Sequence, residues 1–194
     1  MTGEPHVAHA DPPTTVAKQR LRESLQARRG ELEHSGGDRT ARALALCGHS
    51  EVVALYASTP GEPDTWELAD ALVARGTRVL LPVLRREPDW AWYTGRANLA
   101  PSWRGILQPT GPRLGGGVLV RAEWIWVPGL AGSRGGDRIG TGGGWYDRAL
   151  LKASPTARIG MLLYDGEVLD RVPTEPWDRR VRFLLTASQT VRAE

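Results

Sequence analysis

Two short, valine-rich apolar runs with one amphipathic segment between them constrain this chain more than any other feature. Residues 51–57 (EVVALYA) and 77–84 (TRVLLPVL) are almost continuously apolar, as strands covered on both faces of a sheet are. Between them, Asp64-Thr65-Trp66-Glu67 places an acceptor three residues before a glutamate, a capping-box-like helix start. Leu68, Leu72 and Val73 then continue a helical period to Gly76. Strand, helix and strand within about 35 residues make a parallel crossover unit, and such units build a sheet with helices on both faces.

Further along, residues 124–127 and 158–164 read as two more strands, separated by a glycine-rich loop and a helix from about Gly144 to Ala153, a second crossover. Residues 90–93 read as an edge strand and residues 183–187 as a last short one. Thr14 or Thr15 can cap a first helix reaching about His34. Val16, Leu21, Leu25 and Leu32 fall roughly on one face, with Lys18, Arg22, Arg28 and Arg29 projecting elsewhere. Ser35-Gly36-Gly37 ends this helix, and Asp38 caps a second one through Cys47. Residues 1–13 lack periodicity and read as a disordered tail. The expected fold class is therefore α/β: residues 14–194 form a single-domain three-layer sandwich, a mostly parallel central sheet with helices on both faces.

Composition narrows the classes of function. With 194 residues, 41% hydrophobic and 24% charged, the chain suits one core. A single cysteine, Cys47, excludes a disulfide within one chain, and no Cys/His spacing fits zinc, so a reducing, cytoplasmic setting is expected. No signal peptide or membrane-length apolar run is present. The net charge of +3 suits anionic small molecules, but no basic stripe alternates with aromatics, so neither nucleic acid nor membrane is an expected partner; a monomer is expected.

The chemistry concentrates in residues 127–148, VPGLAGSRGGDRIGTGGGWYDR, which carry eight glycines between positions 129 and 144, just after a strand and just before a helix. In an open parallel sheet, ligands bind beyond the carboxyl ends of the strands, and a glycine-rich turn lets backbone N–H groups approach phosphate oxygens. Composition alone also allows a plain flexible loop. A Walker A loop is absent, because Thr141-Gly142 follows Gly140 where Lys-Ser/Thr is needed, and no G-x-G-x-x-G fingerprint fits.

This segment resembles the signature of the 5-formyltetrahydrofolate cyclo-ligase family, V-P-x-x-A-F-D-x-x-G-x-R-L-G-x-G-x-G-Y-Y-D-R. It matches at Val127, Pro128, Ala131, Gly136, Arg138, Gly140, Gly142, Gly144, Tyr146, Asp147 and Arg148. Lys18-x-x-x-Arg22, Glu62-x-Asp64-Thr65 and the run from Tyr164 through Val172-Pro173 and Glu175 to Asp178 resemble further family elements in the family's order. The resemblance implies an ATP-dependent ligase that uses Mg²⁺. The N5-formyl oxygen of 5-formyltetrahydrofolate attacks the γ-phosphate, N10 closes the ring, and 5,10-methenyltetrahydrofolate, ADP and phosphate are released. Such chemistry relies on alignment and charge neutralisation.

Residue by residue, the resemblance assigns ATP to Lys18, Arg22, Arg138, Gly140, Gly142, Gly143, Gly144, Trp145 and Tyr146, and the reduced folate to Ala57, Glu62 and Trp145. Arg138, Tyr146 and Asp147 are the catalytic candidates, and Asp147 and Asp178 the metal ligands. Structural alternatives stand beside these roles. Lys18 and Arg22 can be a solvated helix face, and Arg138 or Arg148 can pair with Asp147. Asp178 can pair with Arg179 or Arg180, Trp145 can simply pack, and Asp64 and Thr65 read as helix caps, which leaves Glu62 without a structural task. Of the eight tryptophans, Trp66, Trp90, Trp92 and Trp103 flank loops where a ring can stack on a flat pterin. His6, His9, His34 and His49 fall in the tail and at helix ends, away from any catalytic pairing. The chain departs from the family pattern at Gly132-Ser133 (commonly Phe-Asp), Glu167 (commonly Gln), Trp177 (commonly His) and Arg182 (frequently Asp), and Gln108 stands where Glu is more frequent. Alternatives to the folate reaction are ATP-dependent cyclisation of another amide or formamide, a nucleotide- or folate-binding protein without turnover, and a nucleic-acid binder.

Overall fold

Alternation along the strands creates the layers. The computed structural model describes residues 13–29 and 37–193; residues 1–12 of the expected tail, the first helix's run to His34 and its Ser35-Gly36 stop lie outside the described residues, while Pro13 opens the first helix, so Thr14 and Thr15 lie within it and do not cap it. In chain order the elements are α1 (Pro13–Arg29), α2 (Gly37–Cys47), β1 (Val52–Ala54), α3 (Trp66–Ala74), β2 (Arg78–Val83), β3 (Asp89–Trp92), β4 (Leu99–Pro101) and β5 (Leu107–Pro109). There follow β6 (Trp124–Val127), β7 (Ala131–Ser133), β8 (Arg138–Ile139), α4 (Trp145–Leu150), β9 (Arg158–Leu162), β10 (Val168–Leu169), β11 (Phe183–Leu185) and β12 (Thr190–Arg192).

Seven strands form the main sheet in the order β12-β11-β9-β6-β1-β2-β3. The strands from β11 to β2 run parallel, and β12 and β3 close the edges antiparallel. Because successive strand residues face opposite ways, Val53, Leu55, Trp124, Trp126 and Leu162 pack with Ala43 and Cys47 of α2 and with Leu68 and Leu72 of α3. On the other face Val52, Ala54, Ile125, Val127 and Met161 pack with Ala149 and Leu150 of α4 and with Leu119. The two indoles of β6 stack with centroids 5.2 Å apart, and Trp126 lies against Gly160 of β9, where an added Cβ would meet the ring at 2.6 Å.

The chain leaves β1 toward β2 on one side, while β6, β9 and β11 extend the sheet on the other. The direction of winding therefore reverses between β1 and β6, the position where open α/β sheets hold ligands beyond their carboxyl ends. The loop bearing Glu62 follows β1, and the glycine-rich segment follows β6.

Several elements differ from the sequence expectation. The first strand shortens to three residues, although Leu55, Tyr56 and Ala57 stay buried. The capping box of α3 is not formed: Thr65 is the N-cap without a side-chain cap bond, and Asp64 Oδ1 instead accepts from Trp66 N–H at 3.1 Å. The glycine-rich segment is not simply a loop. Its first part supplies β7 and β8, which join β10 in a three-stranded sheet. Leu21 and Leu25 of α1 pack on this small sheet with Leu130, Ala131 and Ile139. The hairpin of β4 and β5 and the edge strand β12 have no counterpart in the sequence expectation, being only three residues each. No helix among the described residues is long and apolar enough to cross a membrane.

Candidate functional site

The face of α1 turned to the protein carries cations beside its leucines: Leu21 and Leu25 pack inward as expected and Lys18 and Arg29 are buried with them, whereas Val16, expected on the same apolar face, is exposed. From this face a ring of contacts can be followed. Lys18 Nζ donates to Asp178 Oδ2 at 2.5 Å, and that oxygen also accepts from Glu175 N–H at 2.8 Å. The next residue, Arg179, donates its N–H to Asp147 Oδ1 at 3.2 Å. Asp147 Oδ1 also takes Arg138 Nη2 at 2.5 Å, and Arg138 Nε donates to Arg179 O at 3.0 Å. Arg22 closes the ring by donating Nε to Gly140 O at 2.9 Å. Three reaches of chain distant in sequence, α1, the glycine-rich segment and the loop around Asp178, thus bring three cations and two carboxylates together, in the pairing that the structural alternative for Arg138 allowed. The partner of Asp178 is Lys18, not the Arg179 or Arg180 of its structural alternative; Arg180 pairs with Asp137 instead.

Glycine is required locally. Gly142 has φ +100°, and a Cβ there would stand 3.5 Å from the Arg22 guanidinium carbon. Gly144 is left-handed, with φ 61°, and leads into α4. Gly143 is exposed, as is Arg148, whose Nη1 reaches Gly143 O at 3.5 Å.

Trp145 and Tyr146 open α4 and face the other side of the site. The Trp145 ring meets Trp90 edge-on at 5.5 Å and Tyr146 at 4.8 Å, and its Nε1 donates to Arg85 O at 3.0 Å, so its contacts are those of packing. Trp90 itself is fully buried, which removes it as an exposed stacking platform. Burial pushes the Tyr146 phenol well above its ordinary value; the negative charge of Glu62 adds to this and Arg138 opposes it. Tyr146 therefore stands within electrostatic reach of both the glycine-rich side and the Glu62 loop.

Glu62 has the structural task that sequence reading denied it, since its Oε2 accepts from Thr59 N–H and Thr59 Oγ1, both at 2.9 Å. Its Oε1 has no hydrogen-bond partner among the described residues. The loop is further tied by Tyr56 O–H donating to Pro63 O at 2.5 Å and by Thr65 Oγ1–H donating to Tyr56 O at 2.7 Å. Ala57 lies buried at the start of this loop. Burial and Glu62 together hold the Tyr56 phenol well above its usual value, while Arg29 and Arg39 pull it back.

Arg29 and Glu167 were missed as site elements. Arg29 Nε and Nη2 fork onto Glu167 at 2.5 and 2.8 Å, Nη2 also donates to Gly129 O at 2.6 Å, and Glu167 Oε2 accepts from Tyr164 N–H at 3.0 Å. Both side chains are buried, and removing one partner of such a pair costs about 3–5 kcal/mol because a charge is left stranded. The available signal was spacing: Lys18, Arg22, Leu25 and Arg29 share one helical stripe.

The departures at 132 and 133 sit in β7, where an added Cβ on Gly132 would meet Leu184 at 2.5 Å and Ser133 Oγ bonds Asp137. They let the small sheet pack closely against Leu184 of β11 and tie its hairpin. Trp177 is exposed. Cys47 is buried beneath Trp126, whose Nε1 donates to Sγ at 3.4 Å, and burial pushes the thiol up to about 11, which fits filler rather than a nucleophile. Of the four histidines, His49 is exposed and the other three lie outside the described residues.

The sequence and the fold are similar to those of known proteins. The 5-formyltetrahydrofolate cyclo-ligase of Mycolicibacterium smegmatis is 33% identical over 189 residues, covering 91% of this chain and 97% of that protein. The Escherichia coli K12 enzyme of the same name is 30% identical over 148 residues, 72% of this chain and 80% of the relative. The NMR structure of 5,10-methenyltetrahydrofolate synthetase from Aquifex aeolicus superposes with a TM-score of 0.76 at 26% identity, covering 90% of this chain and 92% of that one. The model of the 5-formyltetrahydrofolate cyclo-ligase family matches residues 14–187, and the chain belongs to that family.

Proposed function

We propose that this chain cyclises 5-formyltetrahydrofolate to 5,10-methenyltetrahydrofolate with consumption of ATP, and that the ring of charges around Asp147 binds the transferred phosphate. The enzyme class follows from family membership: a cyclo-ligase. The observation that carries the assignment of residues is the gathering of Lys18, Arg22 and Arg138 around the glycine-rich segment, next to the two carboxylates.

In this reading Lys18, Arg22 and Arg138 neutralise phosphate oxygens. Arg22 uses only Nε on Gly140, which leaves its terminal N–H donors for the ligand. Tyr146 stands at the meeting of the two substrates, and Glu62 Oε1 accepts an N–H donor at the pterin edge. The formyl oxygen bonds to the γ-phosphorus as ADP leaves. N10 then bonds to the formyl carbon and gives up its proton, and the C–O bond breaks to release phosphate, which carries the proton away.

Magnesium fits this site. No group of three or more His, Cys, Asp or Glu gathers among the described residues. Mg²⁺ needs only one or two carboxylates, because it keeps waters and shares phosphate oxygens. Asp147 Oδ2 and Asp178 Oδ1 have no hydrogen-bond partner among the described residues and would hold it. When bound, the ion supplies charge neutralisation on the phosphoryl group. A monomer in a reducing cytoplasm is consistent with one buried cysteine.

The test incubates purified protein with Mg·ATP and 5-formyltetrahydrofolate and follows the methenyl chromophore together with ADP. Stoichiometric appearance of both is expected. Absence of both from folded protein at high concentration overturns the assignment, and ADP released only with another amide shifts the substrate.

A further inference from the structure

Lys18, Arg22, Leu25 and Arg29 follow one another on α1 at intervals of four, three and four residues, which keeps them on one narrow stripe of the helix. Each end of that stripe grips a different part of the site. Near the N-terminus, Lys18 meets Asp178 and Arg22 meets Gly140 O. Near the C-terminus, Arg29 forks onto Glu167 and also bonds Gly129 O. The same helix therefore clips the glycine-rich segment at two points, Gly129 and Gly140. Glu167 is fixed in turn by Tyr164 N–H, just beyond the carboxyl end of β9. The acid at 167, where the family pattern commonly carries an amide, gives Arg29 a full counter-charge.

We infer that Arg29 is a positioning residue for the nucleotide: its fork to Glu167 and Gly129 sets the lie of α1, and so where Lys18 and Arg22 meet the phosphates. Arg29 itself touches no phosphate in this scheme. Its Nε and Nη2 are engaged by Glu167 and Gly129, and it acts on the ligand through the helix. A rigid fork suits this task, since two parallel N–H bonds fix orientation as well as distance, which a lysine point charge does not. The inference rests on the proposed ATP reading.

The experiment titrates Mg·ATP, without folate, into wild-type protein and an Arg29→Met/Glu167→Met double variant, with thermal melting in parallel. Removing both charges leaves no stranded ion, so the double variant is expected to stay folded. Its affinity for Mg·ATP should fall at least tenfold, while KM for 5-formyltetrahydrofolate at saturating ATP changes less than threefold. Wild-type nucleotide affinity in a folded double variant overturns the inference. So does an equal loss for both substrates, which marks a general structural role. If the double variant does not fold, Arg29→Lys decides by the same titration: a loss of threefold or more supports positioning by the fork, and unchanged affinity rejects it. Failure of the wild-type protein to bind Mg·ATP would instead overturn the proposed function, so the two failures are distinguishable.

Discussion

The phosphate side of the site and its Glu62 side are assembled from different reaches of the chain. On the phosphate side, Lys18 pairs with Asp178 and Arg138 and Arg179 converge on Asp147, so that side chains from the first helix, the glycine-rich segment and the last loop balance one another. On the Glu62 side, the carboxylate is held by Thr59, three residues away, and the loop is closed by bonds among residues 56–66. The first is a network of long-range charge pairs and the second a local turn. A change on the phosphate side strands the partner charge as well as removing a ligand contact, whereas a change at Glu62 removes one contact and leaves the fold of its loop to other bonds.

That contrast sets an order of expected effects. Asp147→Ala removes a metal oxygen and also frees Arg138 to bind phosphate unproductively, so kcat should fall by about 100-fold to 1,000-fold, as when a transition-state contact is lost. A rate within threefold of wild type in steady-state assays removes Asp147 from the mechanism. Lys18→Met leaves Asp178 without its cation, and Mg·ATP affinity measured calorimetrically should drop roughly 10-fold to 100-fold, the worth of one charge-assisted contact. Folate KM should hardly move, and an equal rise in both constants would erase the distinction between the two sides.

Glu62→Gln keeps an acceptor for Thr59 but loses the carboxylate for the pterin, so KM for 5-formyltetrahydrofolate should rise about tenfold with the melting temperature nearly unchanged. A large fall in melting temperature would show that the loop, and not the ligand, is what Glu62 serves. Trp145→Phe retains the edge-to-face packing on Trp90 and loses only the bond to Arg85 O, and both constants should stay within about threefold.

The smallest effect is a titration that reports on both sides together. Tyr56, Tyr93, Tyr146 and Tyr164 are all held above the ordinary phenol value with burial as the largest cause, Tyr93 up to about 12. Because the folded values are raised, this contribution to stability is fully present below the unfolded value and is lost as pH rises through the folded ones. Native protein at about pH 10.5 should therefore show much less tyrosinate absorbance than the same protein in denaturant. Equal absorbance would mean that the Tyr146 environment between Glu62 and Arg138 is open to solvent.

Much of the architecture was readable without coordinates, and particular residues show why. The pairs Val53/Leu55 and Val52/Ala54 alternate onto opposite faces, so a strand period of two already implied a helix layer on each side. Gly140, Gly142 and Gly144 announced a special backbone between a strand and a helix. The small sheet of β7, β8 and β10 did not announce itself, because strands of two or three residues carry no periodicity and are held by partners from distant parts of the chain. The structural task of Glu62 was not legible beside its expected folate role, because its bond to Thr59 depends on the turn that brings the two together.

What the sequence by itself determined was the kind of sheet, the place of the glycine-rich segment beyond one of its strands, and the residue types available for phosphate. What only the tertiary structure decided was how those residues pair. Helical spacing puts Lys18, Arg22, Leu25 and Arg29 on one stripe with Leu21 beside it, but it does not say which groups of the fold that stripe meets. The deciding partners, Glu167, Asp178 and Gly140, lie more than one hundred residues away. A buried cation is tolerated only where a counter-charge waits, and that matching is a property of the assembled fold.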